Sequence, residues 1–158
     1  VFTPVEFPEA VYAVQRHEGV NNAITANGGT TEILGTGTDH SEALNIMVQY
    51  LLGHPETKAV IGLGSTPTSV AVRAVEEAGL DIPVGGYDIT PEILDNIANG
   101  SLTATVDQQP YHQGYMSVTM VAQYLKYGLL PADMNTGGSG LVDKSNVESA
   151  FKWAGITR

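Results

Sequence analysis

The sequence predicts an α/β fold built on a parallel sheet. Short apolar runs alternate with segments of helical length along the chain, an order typical of parallel strands joined by crossover helices. Glycine or proline marks the ends of several helical segments, as expected at helix boundaries. The 158 residues suffice for one domain with a core of its own.

Five apolar runs are interpreted as the strands of this sheet, at 1–5, 31–34, 59–63, 83–87 and 102–106. The intervening helices are predicted at 8–27, 41–52, 65–78, 91–98 and 113–127, with a weaker terminal helix at 146–153. Ser41 is the expected N-cap of the second helix and Gly53 its stop, and Gly28 and Gly29 should end the first helix.

Composition excludes several classes of protein. A hydrophobic fraction of 42% without low-complexity tracts argues against a disordered chain. A formal net charge of −10 would repel a polyanion, so nucleic acid is not an expected partner. The absence of cysteine excludes disulfides, thiol nucleophiles and thiolate metal sites.

The loops after the strands carry the candidate binding residues, because ligands of open parallel sheets bind outside the carboxyl ends of the strands. These loops and the first helix supply Arg16, Thr38, Asp39, Ser65, Thr66, Asp88 and Gln108. No nucleophile with a base stands among them, and the four histidines lack metal-ligand spacing. We therefore expect a hydrogen-bonding pocket for a neutral polyol such as a sugar, with no catalytic residue, metal or cofactor.

Four stretches in order, 15–20, 54–60, 84–88 and 99–110, resemble the ribose- and galactose-binding class of type I periplasmic sugar-binding proteins. The combination that carries the resemblance is an Arg three residues before a Gly on the first helix, a Gly-x-Asp strand end and a Thr-x-x-Gln-x-Pro crossing. The resemblance implies a three-layer α/β/α parallel-sheet lobe that serves as the solute-binding component of an ABC sugar importer. The ligand would be a monosaccharide or related polyol held in a cleft between two lobes.

The resemblance also assigns roles to individual residues. Arg16 would bind ring or anomeric hydroxyls, Asp88 would accept two hydroxyl protons, and Gln108 would sit at the hinge crossing. Both residues could also have roles that involve no ligand. Arg16 could be a surface side chain paired with Tyr12 or Glu18, and Asp88 could only cap the next turn. Asp107 is interpreted as structural.

Two departures from the family pattern affect the expected site. Gly64 and Ser65 stand where relatives often carry Asn-Asp, so Ser65 replaces only part of an amide contact. Thr38 stands where relatives commonly place an aromatic residue. Tyr12, one turn before Arg16, is then the candidate stacking residue, and Asp39 an alternative hydroxyl acceptor.

The family has two lobes, and the resemblance assigns this chain to the second. Residues 1–112 would form the carboxy-terminal ligand-binding lobe, 113–132 a helix that packs on a first lobe outside this chain, and 133–158 the hinge return and terminal helix. The helix at 113–127 has two apolar stripes, so the first lobe, or a second copy of the fragment as a homodimer, should cover one of them.

Two alternative functions remain open. The effector lobe of a lac-repressor-type regulator shares this fold, although 99–105 and 140–147 look like the transport receptors. A nucleotide-dependent enzyme of doubly wound fold is suggested only by a partial glycine fingerprint, Gly62-x-Gly64-x-x-Pro67.

The remaining partners and the location follow from the transport interpretation. We expect an ABC transporter permease as a partner. The location would be periplasmic or extracellular, with processing or truncation upstream of Val1 and a membrane anchor there as one option.

Overall fold

The computed structural model describes residues 1–130, 133 and 140–157. Six strands form one sheet: β1 (Phe2–Val5), β2 (Glu32–Gly35), β3 (Val60–Gly62), β4 (Val84–Tyr87), β5 (Ala104–Val106) and β6 (Leu141–Asp143). The helices are α1 (Val11–Thr25), α2 (His40–Gly53), α3 (Ser65–Glu77), α4 (Pro91–Asn99), α5 (Pro110–Tyr127) and α6 (Val147–Trp153). All predicted strands and helices are present, and β6 is an additional strand that the sequence did not predict.

The sheet has the strand order β2-β1-β3-β4-β5-β6. The first five strands pair in parallel, which confirms the predicted sheet. β6 pairs antiparallel with β5, with Val142 opposite Thr105, so the sheet as a whole is mixed. The parallel strands therefore place their carboxyl ends along the same edge of the sheet.

Each face of the sheet has its own apolar core. Neighbouring residues of one strand, such as Val60 and Ile61, belong to different cores because strand side chains alternate between faces. The larger core combines the strands with α2, α3, α4 and α6, and the smaller one packs α1, through Ala13, against Val5 and Leu63. This arrangement confirms the layered α/β architecture, with α1 on the face opposite the other four packed helices.

One N-cap and two helix starts differ from the predicted ones, each for a local reason. The N-cap of α2 is Asp39, whose carboxylate accepts from the Glu42 N–H at 2.8 Å, so the assignment of Ser41 was wrong. α1 begins at Val11 rather than at 8, since the chain turns between Phe7 and Ala10. Pro110, which needs no helical hydrogen-bond partner for its nitrogen, starts α5 three residues before the predicted start.

α5 differs from the other helices because none of its residues is buried. Most of its large apolar side chains are exposed, with Val118 72% and Leu125 77% exposed. The residues that the structure describes thus bury neither of the two apolar stripes of this helix. None of the described helices has the length and apolar content that crossing a bilayer requires.

Candidate functional site

A pocket of about 260 Å³ lies at the carboxyl ends of the parallel strands. It is lined by Glu6, Tyr12, Arg16, Gly64, Ser65, Asp88 and Gln108. Six of these seven residues were predicted from the sequence, and they come from α1, the start of α3 and the segments that follow β3, β4 and β5. The fold therefore brings the predicted polar groups into one place.

Arg16 is the central cation of the pocket. Its Nη1 donates to the main-chain carbonyl oxygen of Leu63 at 2.7 Å, and its Nη2 donates to Gln108 Oε1 at 3.3 Å. The guanidinium also lies over the rings of Tyr12 and Tyr87, 4.9 and 4.6 Å from their centroids. These contacts hold Arg16 inside the pocket, which disagrees with the alternative of a surface side chain.

Asp88 follows the last residue of β4 and has a left-handed backbone, with φ of 70°. This conformation is uncommon for a residue with a side chain, although Asp and Asn tolerate it better than most. Two hydrogen bonds to β5 hold it: the Asp88 N–H donates to Val106 O at 2.8 Å, and Thr105 Oγ1 donates to Asp88 O at 2.7 Å. The carboxylate is thereby aimed at the pocket by its backbone.

The electrostatic environment of Asp88 is dominated by burial. Loss of solvent raises the pKa of its carboxyl group above the usual value, and the carboxylates of Glu6 and Asp107 raise it further. Arg16 and the hydrogen bond from Gln108 act in the opposite direction without cancelling the effect of burial. Asp88 is thus an acceptor whose partners within the chain only partly compensate its charge.

Gln108 connects the pocket to the end of β5. Its Nε2 donates to Asp88 Oδ1 while its Oε1 accepts from Arg16, so the amide bridges the two charged residues. Its neighbour Asp107 is buried, accepts from the Gln109 N–H at 2.8 Å and donates its own N–H to Gly140 O at 2.8 Å. This agrees with a structural role for Asp107 beside the crossing from β5 to α5.

Glu6 is the lining residue that the sequence interpretation missed. It follows β1 directly and is 9% exposed. Its Oε2 accepts from the Tyr12 hydroxyl at 3.0 Å, and its Oε1 accepts from the Thr66 N–H at 3.0 Å. The available signal was its position: an acidic residue at the carboxyl end of a buried strand.

Tyr12 contacts both Glu6, through its hydroxyl, and Arg16, through its ring. Burial and the neighbouring Glu6 carboxylate raise the pKa of its hydroxyl group to about 12. The hydroxyl therefore stays protonated and donates to Glu6, while the ring packs against the Arg16 guanidinium. With one ring face on the cation, Tyr12 is placed at the wall of the pocket.

Thr38 and Asp39 do not line this pocket. Both are exposed in the segment between β2 and α2, and the Asp39 carboxylate caps α2. Their predicted ligand contacts therefore have no counterpart in the cluster formed around Arg16.

The amino terminus of α3 bears on the dinucleotide alternative. In a nucleotide-binding fingerprint, a pyrophosphate sits at such a helix terminus. Here the Glu6 carboxylate already accepts from the Thr66 N–H, and a Cβ at Gly64 would collide with that carboxylate. Gly62 and Gly86 instead make room for the side chain of Thr68. The glycines thus serve side-chain packing, and a carboxylate occupies the phosphate position.

The donor set of the pocket is suited to hydroxyl groups. One guanidinium, two carboxylates, a serine and an amide can each pair with a hydroxyl, which both donates and accepts. Among the described residues, no group of three or more His, Cys, Asp or Glu side chains could hold a metal ion.

Comparison with known proteins relates the chain to a family of binding proteins. Residues 1–129 match the model of a family described as periplasmic binding protein domain. The ribose import binding protein of Salmonella typhimurium is 31% identical over 118 residues, which cover 72% of this chain and 39% of that protein. The xylose/arabinose-binding protein of Sulfolobus acidocaldarius is 29% identical over 143 residues, 84% of this chain and 35% of that protein.

A solved structure gives the same result at the level of the fold. A carbohydrate transporter from Acidothermus cellulolyticus, crystallised with myo-inositol, superimposes with a TM-score of 0.82 at 29% identity. The match covers 97% of this chain and 54% of that one. The chain therefore spans about half the length of this structural relative, and a smaller share of the two sequence relatives above.

Proposed function

The chain belongs to the periplasmic binding protein domain family, and from this premise we propose that it is the carboxy-terminal, ligand-binding lobe of a receptor for an ABC sugar importer. The ligand is a monosaccharide or related polyol. The observation that carries the proposal is the bridged cluster of Arg16, Gln108 and Asp88 at the carboxyl ends of the strands. Members of this family bind substrates and are not enzymes, so the receptor needs no catalytic group.

The ligand role of Arg16 and Asp88 is supported by what these residues leave unpaired. Within the part of the chain that the structure describes, Arg16 Nη1 and Nη2 each donate one hydrogen bond, and a guanidinium has five N–H donors. Among the described residues, Asp88 Oδ1 accepts from Gln108, and Oδ2 has the longer contact with Arg16 Nη1, at 3.9 Å. Hydroxyl groups of a polyol would complete both sets of partners. Ser65, at the first residue of α3, adds a further hydroxyl to the same wall.

The pocket is one side of a cleft, and we propose that a first lobe closes the other side. Closure about a hinge removes water from the ligand and strengthens its polar contacts. In the proposed division, α5 packs on that first lobe, which accounts for the many exposed apolar side chains on this helix. The proposed boundary between the binding lobe and the packing helix, after residue 112, falls inside α5, whose first residue is Pro110. The proposed hinge return, 133–158, includes 134–139, which lie outside the described residues.

The relatives support a role in transport rather than in transcription regulation. One of them is a ribose import binding protein that matches 72% of this chain. A permease partner and a periplasmic or extracellular location follow from that interpretation. The net charge of −10 agrees with a protein that has no nucleic-acid partner.

A thermal-shift screen of the complete protein tests the proposed function. Pentoses, hexoses and polyols are compared with NAD at equal concentrations. We expect one or a few of the sugars to raise the unfolding temperature in a saturable manner, because a ligand that binds only the folded state stabilises it. A shift with NAD and none with any sugar or polyol would instead favour the dinucleotide alternative.

A further inference from the structure

We infer that Glu6 is a ligand-binding residue that makes the pocket selective for neutral polyols over sugar acids. This inference rests on the proposed function, since it names the chemistry that the same pocket prefers. It concerns a residue that the sequence motifs do not mark.

The first argument is the hydrogen-bonding capacity that remains on Glu6. An ionised carboxylate has about four acceptor positions. One oxygen accepts from the Thr66 N–H and the other from the Tyr12 hydroxyl, each at 3.0 Å. The described residues thus leave about two positions unused, on a side chain that lines the pocket and is 9% exposed. A ligand hydroxyl can donate to them without disturbing either internal bond.

The second argument is the space that Gly64 leaves. A Cβ at this position would collide with both oxygens of the Glu6 carboxylate. The carboxylate therefore occupies the volume that a side chain at 64 would take, at the amino terminus of α3. Glu6, which follows β1, thus supplies an acceptor where residue 64 has no side chain.

The third argument is charge. Glu6 and Asp88 place two carboxylates in the pocket against the single guanidinium of Arg16. Arg16 already donates to Leu63 O and Gln108 Oε1. A ligand carboxylate would be a third negative charge in a partly buried site. It would be repelled by the carboxylates of Glu6 and Asp88. A neutral polyol instead presents hydroxyl donors to both carboxylates.

A purely structural role for Glu6 makes a different prediction. Its carboxylate lies at the amino terminus of α3, where a negative charge stabilises the helix, and Gly64 supplies no side-chain cap. In Glu6→Gln the amide oxygen can still accept from the Thr66 N–H. The variant therefore removes the negative charge and the carboxylate acceptor offered to the ligand, while it keeps the cap of α3.

The experiment measures the affinity of the complete protein for the best neutral sugar of the screen and for the corresponding uronic acid. The variants are wild type, Glu6→Gln and Glu32→Gln. Glu32 is the matched control, because it also accepts from a tyrosine, Tyr50 at 2.9 Å, but lies at the amino end of β2, away from the pocket.

We expect wild type and Glu32→Gln to bind the neutral sugar at least tenfold more tightly than the uronic acid. Glu6→Gln should lose at least tenfold in affinity for the neutral sugar and discriminate less between the two ligands. Unchanged affinity and selectivity in Glu6→Gln would overturn the role of Glu6 alone. A change in unfolding temperature with unchanged selectivity would also overturn it, in favour of a cap. Binding of no sugar by wild type would overturn the proposed function itself.

Discussion

Arg16 Nη1 lies 3.9 Å from Asp88 Oδ2 while the same nitrogen donates to the main-chain carbonyl of Leu63 at 2.7 Å. The guanidinium is thus held by the backbone at the end of β3, and its ion pair with Asp88 is long. The pKa of Asp88 is accordingly raised by burial despite the cation. Both Arg16 and Asp88 therefore retain hydrogen-bonding positions that a ligand hydroxyl could use.

Replacement of Asp88 by Asn should stabilise the ligand-free protein at neutral pH. A raised pKa means that folding favours the protonated carboxyl, so this contribution to stability is present at low pH and lost as the pH rises through the raised value. Asn removes the buried charge and keeps an acceptor for Gln108. Thermal unfolding of the complete protein without ligand should give a higher midpoint for the variant at neutral pH. The difference in midpoint between the variant and wild type should become smaller as the pH is lowered towards about 4, the usual pKa of Asp. A variant less stable at neutral pH would contradict the account.

Replacement of Arg16 by Lys should weaken sugar binding by roughly tenfold, or about 1.4 kcal/mol. A single ammonium group cannot hold the Leu63 carbonyl and the Gln108 amide in the forked geometry of a guanidinium. The measurement is the dissociation constant of the complete protein by calorimetry. Arg73→Lys is the control, because Arg73 forms an exposed pair with Glu77 on α3 and should bind as wild type does.

Replacement of Gly64 by Ala should destabilise the protein by about 1–3 kcal/mol, the usual cost of overpacking. The added Cβ would displace the Glu6 carboxylate from the Thr66 N–H. Gly19→Ala in α1 is the control, since nothing lies within 4 Å of its Cβ, and Ala is the better helix former by up to about 1 kcal/mol. Thermal unfolding of both variants checks this expectation, and equal midpoints would refute it.

The exposed apolar side chains of α5 should make this chain self-associate when it is produced alone. Val118 and Leu125 are each more than two-thirds exposed, on a helix without a buried residue. Sedimentation should show concentration-dependent association that the combined changes Val118→Glu and Leu125→Glu reduce. A monodisperse monomer that binds no hydrophobic dye would argue against a homodimer of the fragment.

Sequence periodicity was sufficient for the five parallel strands and the order of the helices. It did not reveal β6, because Leu141–Asp143 is only three residues long and becomes a strand through antiparallel pairing with β5. It also misplaced the cap of α2, since Asp39 and Ser41 are both good capping residues and only the backbone geometry distinguishes them.

Most of the pocket could be predicted because its residues follow strands that the pattern identifies. Glu6 also follows a predicted strand, but the contacts that hold its carboxylate in the pocket come from Gly64 and Thr66, about 60 residues further along the chain, and its position alone does not reveal them. Asp39 follows its strand much as Asp88 does, so position alone predicts the same role for both. In the structure the Asp39 carboxylate accepts from the backbone of α2, at a position outside the pocket.

Calorimetric titration of the complete protein, as wild type, Arg16→Ala and Asp88→Ala, tests the central claim most directly. The titrant is the sugar or polyol that gives the largest thermal shift. The account predicts saturable binding by wild type and at least a tenfold loss in each variant, because each truncation leaves hydroxyl partners unpaired. Unchanged affinity in both variants would contradict the assignment of this pocket as the sugar site.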